Sequence, residues 1–214
     1  MKGLERIESF INSYIEDDEE TLEDIYRQAR MKGVPVIRRT TKELLKIMLM
    51  MKKPDSILEI GTAVGYSALF MSKITGDTAD ITTIELDDER AREAVSNIER
   101  LGKSKNIHVI NADASEALKD LPDSSFDFIF VDAAKGQYIN YYEDVIRLAK
   151  KEAVIVSDNI LQDGEILESH FTVEKRNRTI HDRIREYLYL ITHDNRVESS
   201  IVSVGDGVSV SIKK

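Results

Sequence analysis

The chain has 214 residues, 42% of them hydrophobic, which suits one enzyme-sized domain with a sizeable core. A formal net charge of −9 argues against a surface that coats nucleic acid generally, and the absence of cysteine rules out disulfides, thiolate catalysis and cysteine–zinc sites. No run reaches the ~18 apolar residues of a membrane span and the first residues do not read as a secretory signal, so a soluble, cytoplasmic chain is expected.

Residues 1–52 read as a helical cap. Ile7, Phe10, Ile11 and Tyr14 recur at helical spacing, and Leu22, Ile25, Tyr26 and Ala29 form a second stripe that Gly33-Val34-Pro35 breaks. A third helix starts near Thr40 or Thr41 and carries Leu44, Leu45, Ile47, Met48 and Met51 toward Pro54. Its methionine-rich stripe reads as core or partner contact, so the cap covers an active site or a subunit interface.

From Ser56 the pattern changes to βα repeats. Strands are expected at 56–60, 80–85, 107–110, 126–131 and 153–157. Helices are expected at 66–74, 88–101, 114–121, 138–148 and 173–193. Two alternating runs, 197–203 and 208–212, flank Gly205-Asp206-Gly207 and predict a hairpin. The expected fold is α/β, a parallel sheet extended by a C-terminal antiparallel pair. With no linker or repeat in sight, 1–214 reads as one domain.

Several strands stop at an acid, and ligands of open parallel sheets sit beyond the carboxyl ends of the strands. Gly61-x-x-x-Gly65 follows the first strand and allows a ligand close to the backbone. It has neither the glycine pattern of a dinucleotide fold nor the lysine of a phosphate loop. Glu59 suits a ligand bearing an ammonium group, or orients the loop. Glu85, ending the second strand, is placed for ribose hydroxyls, and Asp113 for an adenine amino group. Asp132, Asp158 and Asn159 end two further strands and offer only oxygen, which favours magnesium, manganese or calcium over zinc. Helix capping and an Asx-turn are the plainer readings of those three residues. Lys135 could take a proton, neutralise the carboxylates or hold a substrate.

Taken together, Glu59 through Ser67, Glu85, Val131-Asp132-Ala133-Ala134-Lys135 and Ser157-Asp158-Asn159 resemble the metal-dependent O-methyltransferases that use S-adenosylmethionine, a family that includes catechol and caffeoyl-coenzyme-A enzymes. The resemblance runs from about Thr40 to the end of the chain. Asp132 through Tyr138, Val204-Gly205-Asp206-Gly207 and the basic segment near Lys175 resemble its bacterial branch acting on 5-hydroxyuridine of tRNA. This implies a three-layer α/β/α Rossmann-like methyltransferase fold with a mostly parallel, seven-stranded sheet. It implies methyl transfer to the 5-hydroxyl of 5-hydroxyuridine at the tRNA wobble position, giving 5-methoxyuridine, with small catechol-like phenols as the alternative acceptors. By resemblance, Glu59, Gly61, Gly65, Tyr66 and Ser67 hold the methionine part of the cofactor, Glu85 the ribose, and Asp113 with Ala114 the adenine. Asp132, Asp158 and Asn159 become ligands of a magnesium or manganese ion, Asp132 also borders the cofactor, and Lys135 is the catalytic lysine. Relatives of this kind are commonly homodimers, which is the expectation here.

The acceptor question turns on charge. Lys175, Arg176, Arg178, Arg183 and Arg185 put five cations into eleven residues of an acidic chain, and Arg38 and Arg39 add two more. The resemblance to the tRNA-acting branch implies that they dock the phosphate backbone of a tRNA anticodon loop. A solvated helix face laced with Glu168, Glu174, Asp182 and Glu186 is the competing reading.

Overall fold

In the computed structural model, which describes residues 2–214, three helices precede the first strand: α1 (Lys2–Asn12), α2 (Glu20–Met31) and α3 (Arg39–Lys52). The chain divides into two compact units, the first ending at Ala114 and the second running from Ser115 to Lys214. Met1, part of the expected cap, lies outside the described residues.

The cap helices form where expected, but their apolar stripes do not all face inward. Leu22, Ile25 and Ala29 of α2 are buried, whereas Ile7, Phe10, Ile11 and Tyr14 are 45–74% exposed. Among the described side chains of α1, the Glu8 carboxylate accepts from Arg38 at 3.5 Å and from Thr40 Oγ1 at 3.4 Å. Helix α3 buries Thr41, Leu45 and Leu49 and leaves Ile47, Met50 and Met51 in solvent. It also buries Lys42, only 1% exposed, whose ammonium lies 2.9 Å from Asp18 and over the Phe70 ring.

The first unit continues with β1 (Ser56–Ile60), α4 (Tyr66–Ile74), β2 (Asp80–Glu85), α5 (Asp88–Arg100) and β3 (Ile107–Asn111). Its strands are parallel, with Glu59 opposite Thr83 and Glu85 opposite Asn111. Asp87 caps α5 by accepting from the Glu89 and Arg90 amides. Helix α6 (Ala114–Asp120) leads into the second unit, which holds β4 (Phe126–Val131), α7 (Tyr138–Leu148), β5 (Ala149–Ser157), α8 (Arg178–His193), β6 (Val197–Val202) and β7 (Val208–Lys213). There β4 and β5 are parallel, while β7 runs antiparallel to β5 and pairs with β6 as the expected hairpin. The seven strands take the order β3-β2-β1-β4-β5-β7-β6, the mostly parallel α/β sheet with an antiparallel C-terminal hairpin that the sequence predicts.

Two boundaries move. Strand β5 begins at Ala149, four residues early, because Ala149 pairs with Phe126 across a register shift and Glu152 turns the chain at φ +63°. The helix expected at 173–193 begins only at Arg178. The Arg178 guanidinium takes the Val173 and Phe171 carbonyls, and the Asn177 amide reaches Glu165, so these groups hold a turn in place of a first helical turn. Among the described residues no helix is long and apolar enough to cross a membrane.

Candidate active site

In the first unit, the end of β1 and the start of α4 enclose a loop held by hydrogen bonds from below. The Gly61 and Thr62 amides both donate to the Ile84 carbonyl, at 2.9 and 3.2 Å. Gly61 and Gly65 adopt φ +107° and +82°, and a Cβ on Gly65 would stand 3.3 Å from Ala94, so glycine is needed there on both counts. Glu59 is fully buried and accepts from Thr83 Oγ1 at 2.6 Å. Since the Thr83 proton goes to Glu59, the 2.5 Å contact between Thr83 and Thr62 is a donation from Thr62. Sequence reasoning missed this threonine relay; the signal was a polar pair, Thr82-Thr83, inside an apolar strand.

Glu85 ties two loops together. One carboxylate oxygen accepts from the Ala63 amide at 2.8 Å and the other from the Asp87 amide at 2.9 Å. Each oxygen keeps acceptor capacity for a further donor such as a hydroxyl. Tyr66 and Ser67 form the first turn of α4 and are buried. The Tyr66 hydroxyl faces the cap and donates to Asp18, and burial together with that carboxylate pushes its pKa far above the usual phenol value. What Tyr66 can offer a cofactor is therefore its place at the helix N-terminus and not its hydroxyl. Asp113 is exposed and sits one residue before α6, and Ala114 is buried at the first position of that helix.

In the second unit, Asp132 and Asp158 follow the last residues of neighbouring parallel strands, Val131 and Ser157, which stand in register. The Asp158 amide extends that ladder by donating to the Val131 carbonyl at 3.0 Å. Asn159 turns left-handed at φ +60°, which brings its side-chain amide to Asp132 Oδ1 at 2.8 Å. Asp158 is buried and its Oδ1 accepts from the Asn159 backbone amide at 2.8 Å. Loss of water around Asp132 pushes its carboxyl up to about 6, against the lowering effects of the Asn159 amide and of Lys135. So Asn159 is brought against Asp132, while Asp158 ends the neighbouring strand; two carboxylates and one amide at these strand ends are a donor set whose chemistry would suit a hard divalent cation.

Buried tyrosines brace this corner. The Tyr138 hydroxyl donates to the Asp158 carbonyl at 2.9 Å, and the Tyr187 hydroxyl lies 2.6 Å from Ser157 Oγ, with the two rings packed edge to face. Lys135 heads a 3₁₀ turn and donates to Asp206 Oδ2 at 2.7 Å. Asp206 is buried, and the same hairpin accepts from the Ile160 and Leu161 amides through the Gly207 and Asp206 carbonyls. The sequence offered Asp206 only as a turn residue; the ion pair spans 71 positions and leaves no local pattern.

The basic residues divide into two groups. Arg39 is committed to Glu23 at 2.6 Å and Asp17 at 2.8 Å, and Arg38 lies 3.5 Å from Glu8. Arg178 holds the 171–173 turn, and Arg183 donates to the Gly136 carbonyl at 3.0 Å, next to Lys135. Lys175 and Arg176 are exposed, with Arg176 in a surface pair with Glu174. Phe171, on the same loop, is 84% exposed.

Residues 12–214 match the family model described as O-methyltransferase. Similar curated proteins include a caffeoyl-CoA O-methyltransferase from Stellaria longipes, 32% identical over 78% of this chain and 71% of that protein. A catechol O-methyltransferase from Niastella koreensis is 27% identical over 79% of each chain. Among solved structures, a putative caffeoyl-CoA O-methyltransferase from Staphylococcus aureus is 25% identical with a TM-score of 0.87 over the whole of both chains. An O-methyltransferase from Bacillus cereus, solved in complex with SAH, is 25% identical with a TM-score of 0.84 over 98% of this chain and 97% of that one. With its strand-end carboxylates, glycine turn and sheet order in place, the chain belongs to the O-methyltransferase family.

Proposed function

We propose that the chain transfers the methyl group of S-adenosylmethionine to the 5-hydroxyl of 5-hydroxyuridine at the tRNA wobble position, with a divalent cation, magnesium or manganese, at Asp132, Asp158 and Asn159. The use of this cofactor is supported by family membership and by the SAH-bound B. cereus relative. Glu85, with acceptor capacity left on both oxygens, takes ribose hydroxyls, and the buried Glu59 and its threonines fix the glycine turn that approaches the methionine part. When bound, the cation supplies Lewis acidity that favours the ionised form of an acceptor hydroxyl. Lys135 donates to the buried Asp206, so it serves as a positioned cation opposite the developing oxyanion. The tyrosine brace holds the backbone at Ser157 and Asp158, which helps maintain the alignment that an in-line transfer needs.

One observation carries the tRNA reading: an exposed loop bearing Phe171, Lys175 and Arg176 together, an aromatic face for an unstacked base beside cations for phosphate. The second reading, a small catechol-like phenol as acceptor, is favoured by the names of the curated relatives. Methyl transfer should be measured on tRNA carrying 5-hydroxyuridine, on unmodified tRNA and on catechol. Lys175→Glu with Arg176→Glu should weaken tRNA binding and lower its salt slope by about 1–2 while leaving catechol turnover unchanged. Turnover of catechol but not of hydroxylated tRNA would replace the first reading with the second.

A further inference from the structure

Away from the strand ends, two histidines and an aspartate meet where the 168–177 segment lies against α8. His181 sits in the first turn of α8 and is 1% exposed; Asp182 is its neighbour, and His170 comes from the loop. His181 Nε2 is 3.1 Å from the Glu168 carbonyl oxygen. A carbonyl can only accept, so Nε2 carries the hydrogen and the neutral ring has a bare lone pair on Nδ1. That lone pair faces another acceptor, Asp182 Oδ1, at 3.4 Å. His170 Nδ1 approaches the same oxygen at 2.9 Å. Three potential donor atoms, two imidazole nitrogens and a carboxylate oxygen, thus face one another at the junction of the loop and α8.

We propose that His170, His181 and Asp182 form a second metal site, for zinc or a similar imidazole-seeking divalent ion, that clips the 168–177 loop to α8. One donor atom from each residue lies within 4.8 Å of the other two. A tetrahedral ion with bonds of roughly 2.0–2.1 Å needs donors about 3.3 Å apart, so small rotations of the exposed His170 and Asp182 side chains complete the set. Donation from the far ring nitrogen to a backbone carbonyl, as His181 makes to Glu168, is the outer contact that orients metal-binding imidazoles. Two nitrogens and one oxygen select differently from the all-oxygen set at Asp132, Asp158 and Asn159, so the two sites discriminate between zinc and magnesium. A fourth position is left for water. The clip orders the segment that carries Phe171, Lys175 and Arg176, and it stands whichever acceptor the enzyme uses.

The test is zinc binding by the full chain, stripped with chelator and kept in excess magnesium, followed by calorimetry and by metal content after dialysis. Cobalt substitution gives an independent absorption signature of a tetrahedral site. Wild type should bind one zinc per chain, and His170→Ala or Asp182→Ala, both surface changes, should weaken it by about tenfold or more. Asp158→Ala should leave it unchanged. Zinc should also slow amide exchange across 168–177 in wild type and not in His170→Ala. No stoichiometric zinc, equal zinc affinity in wild type and His170→Ala, or loss only in Asp158→Ala would each overturn the proposal.

Discussion

Replacing Gly207 with alanine isolates the contact that binds the C-terminal hairpin to the segment after Asn159. A Cβ on Gly207 would lie 2.2, 2.7 and 2.8 Å from Leu161 Cγ, Cδ1 and Cβ, at a backbone φ of +81°. The left-handed conformation costs an alanine about 1–2 kcal/mol. Forcing carbon against a packed leucine adds about 1–3 kcal/mol, for a total of about 2–5 kcal/mol. In a chain of this length that corresponds to a fall in Tm of roughly 4–20 °C. Gly102→Ala is the matched control, with φ +68° and no atom within 4 Å of the added Cβ, and should cost only the conformational part. Urea midpoints at constant m-value measure both. The Leu161→Ala background removes the two closest atoms, so Gly207→Ala should cost at least ~1 kcal/mol less there.

The same substitution reaches the chemistry. Leu161 and Ile160 donate to the carbonyls of Asp206 and Gly207, and Asp206 holds Lys135. Displacing the hairpin moves the lysine and the Asn159 turn together, so kcat should fall about 10–100-fold at temperatures where the variant is folded. If Gly207→Ala and Gly102→Ala cost the same, and the Leu161→Ala background changes nothing, the packing argument is wrong.

Four further outcomes are expected. Lys42→Met removes the cation from the Asp18 carboxylate, leaving it the Tyr66 hydroxyl, and should cost about 3 kcal/mol in urea melts, with much of it recovered on adding Asp18→Asn; a neutral Lys42→Met would mean water replaces the ammonium. Asp194, paired with Arg196, is held down to about 2; because its folded value lies below its unfolded one, its stabilisation is present above pH ~4 and disappears between pH ~4 and ~2. Asp194→Asn should therefore flatten the acid limb of Tm against pH by an amount worth about 1–2 kcal/mol, and an unchanged limb would remove Asp194 from the account. Asp132→Asn should lower kcat on the order of 100-fold or more and weaken magnesium binding, while calorimetric binding of S-adenosylmethionine persists; full activity in excess chelator would refute the cation's role. The exposed Ile7, Phe10 and Ile11 face of α1, with Tyr14 in the turn after it, should be covered by a second copy, giving a dimer mass by light scattering that Phe10→Glu converts to a monomer.

What could be read from the sequence was whatever is local. A buried parallel strand is a short apolar run, and its end is marked where the run meets glycine or a carboxylate; Ile60, Glu85, Val131 and Ser157 were all found this way. The hairpin around Gly205-Asp206-Gly207 was equally plain, because left-handed turns restrict residue choice. Periodicity gave the helices but not which way a stripe faces. The α1 stripe has the same spacing as that of α2, and only the tertiary partner, polar through Glu8 for α1 and apolar for α2, separates them. Counting cations meets a related limit. Charge density identifies a cluster, but an arginine has five N–H donors that a backbone carbonyl can occupy without leaving any mark on composition. Arg178 and Arg183 are used in that way, one to shape the loop and one to hold the turn after Lys135. Their substitution should therefore impair every acceptor alike, whereas Lys175 and Arg176 should matter only to a polyanion. Distinguishing the two pairs by acceptor, with tRNA and catechol compared on each variant, separates residues that build the site from those that recruit what enters it.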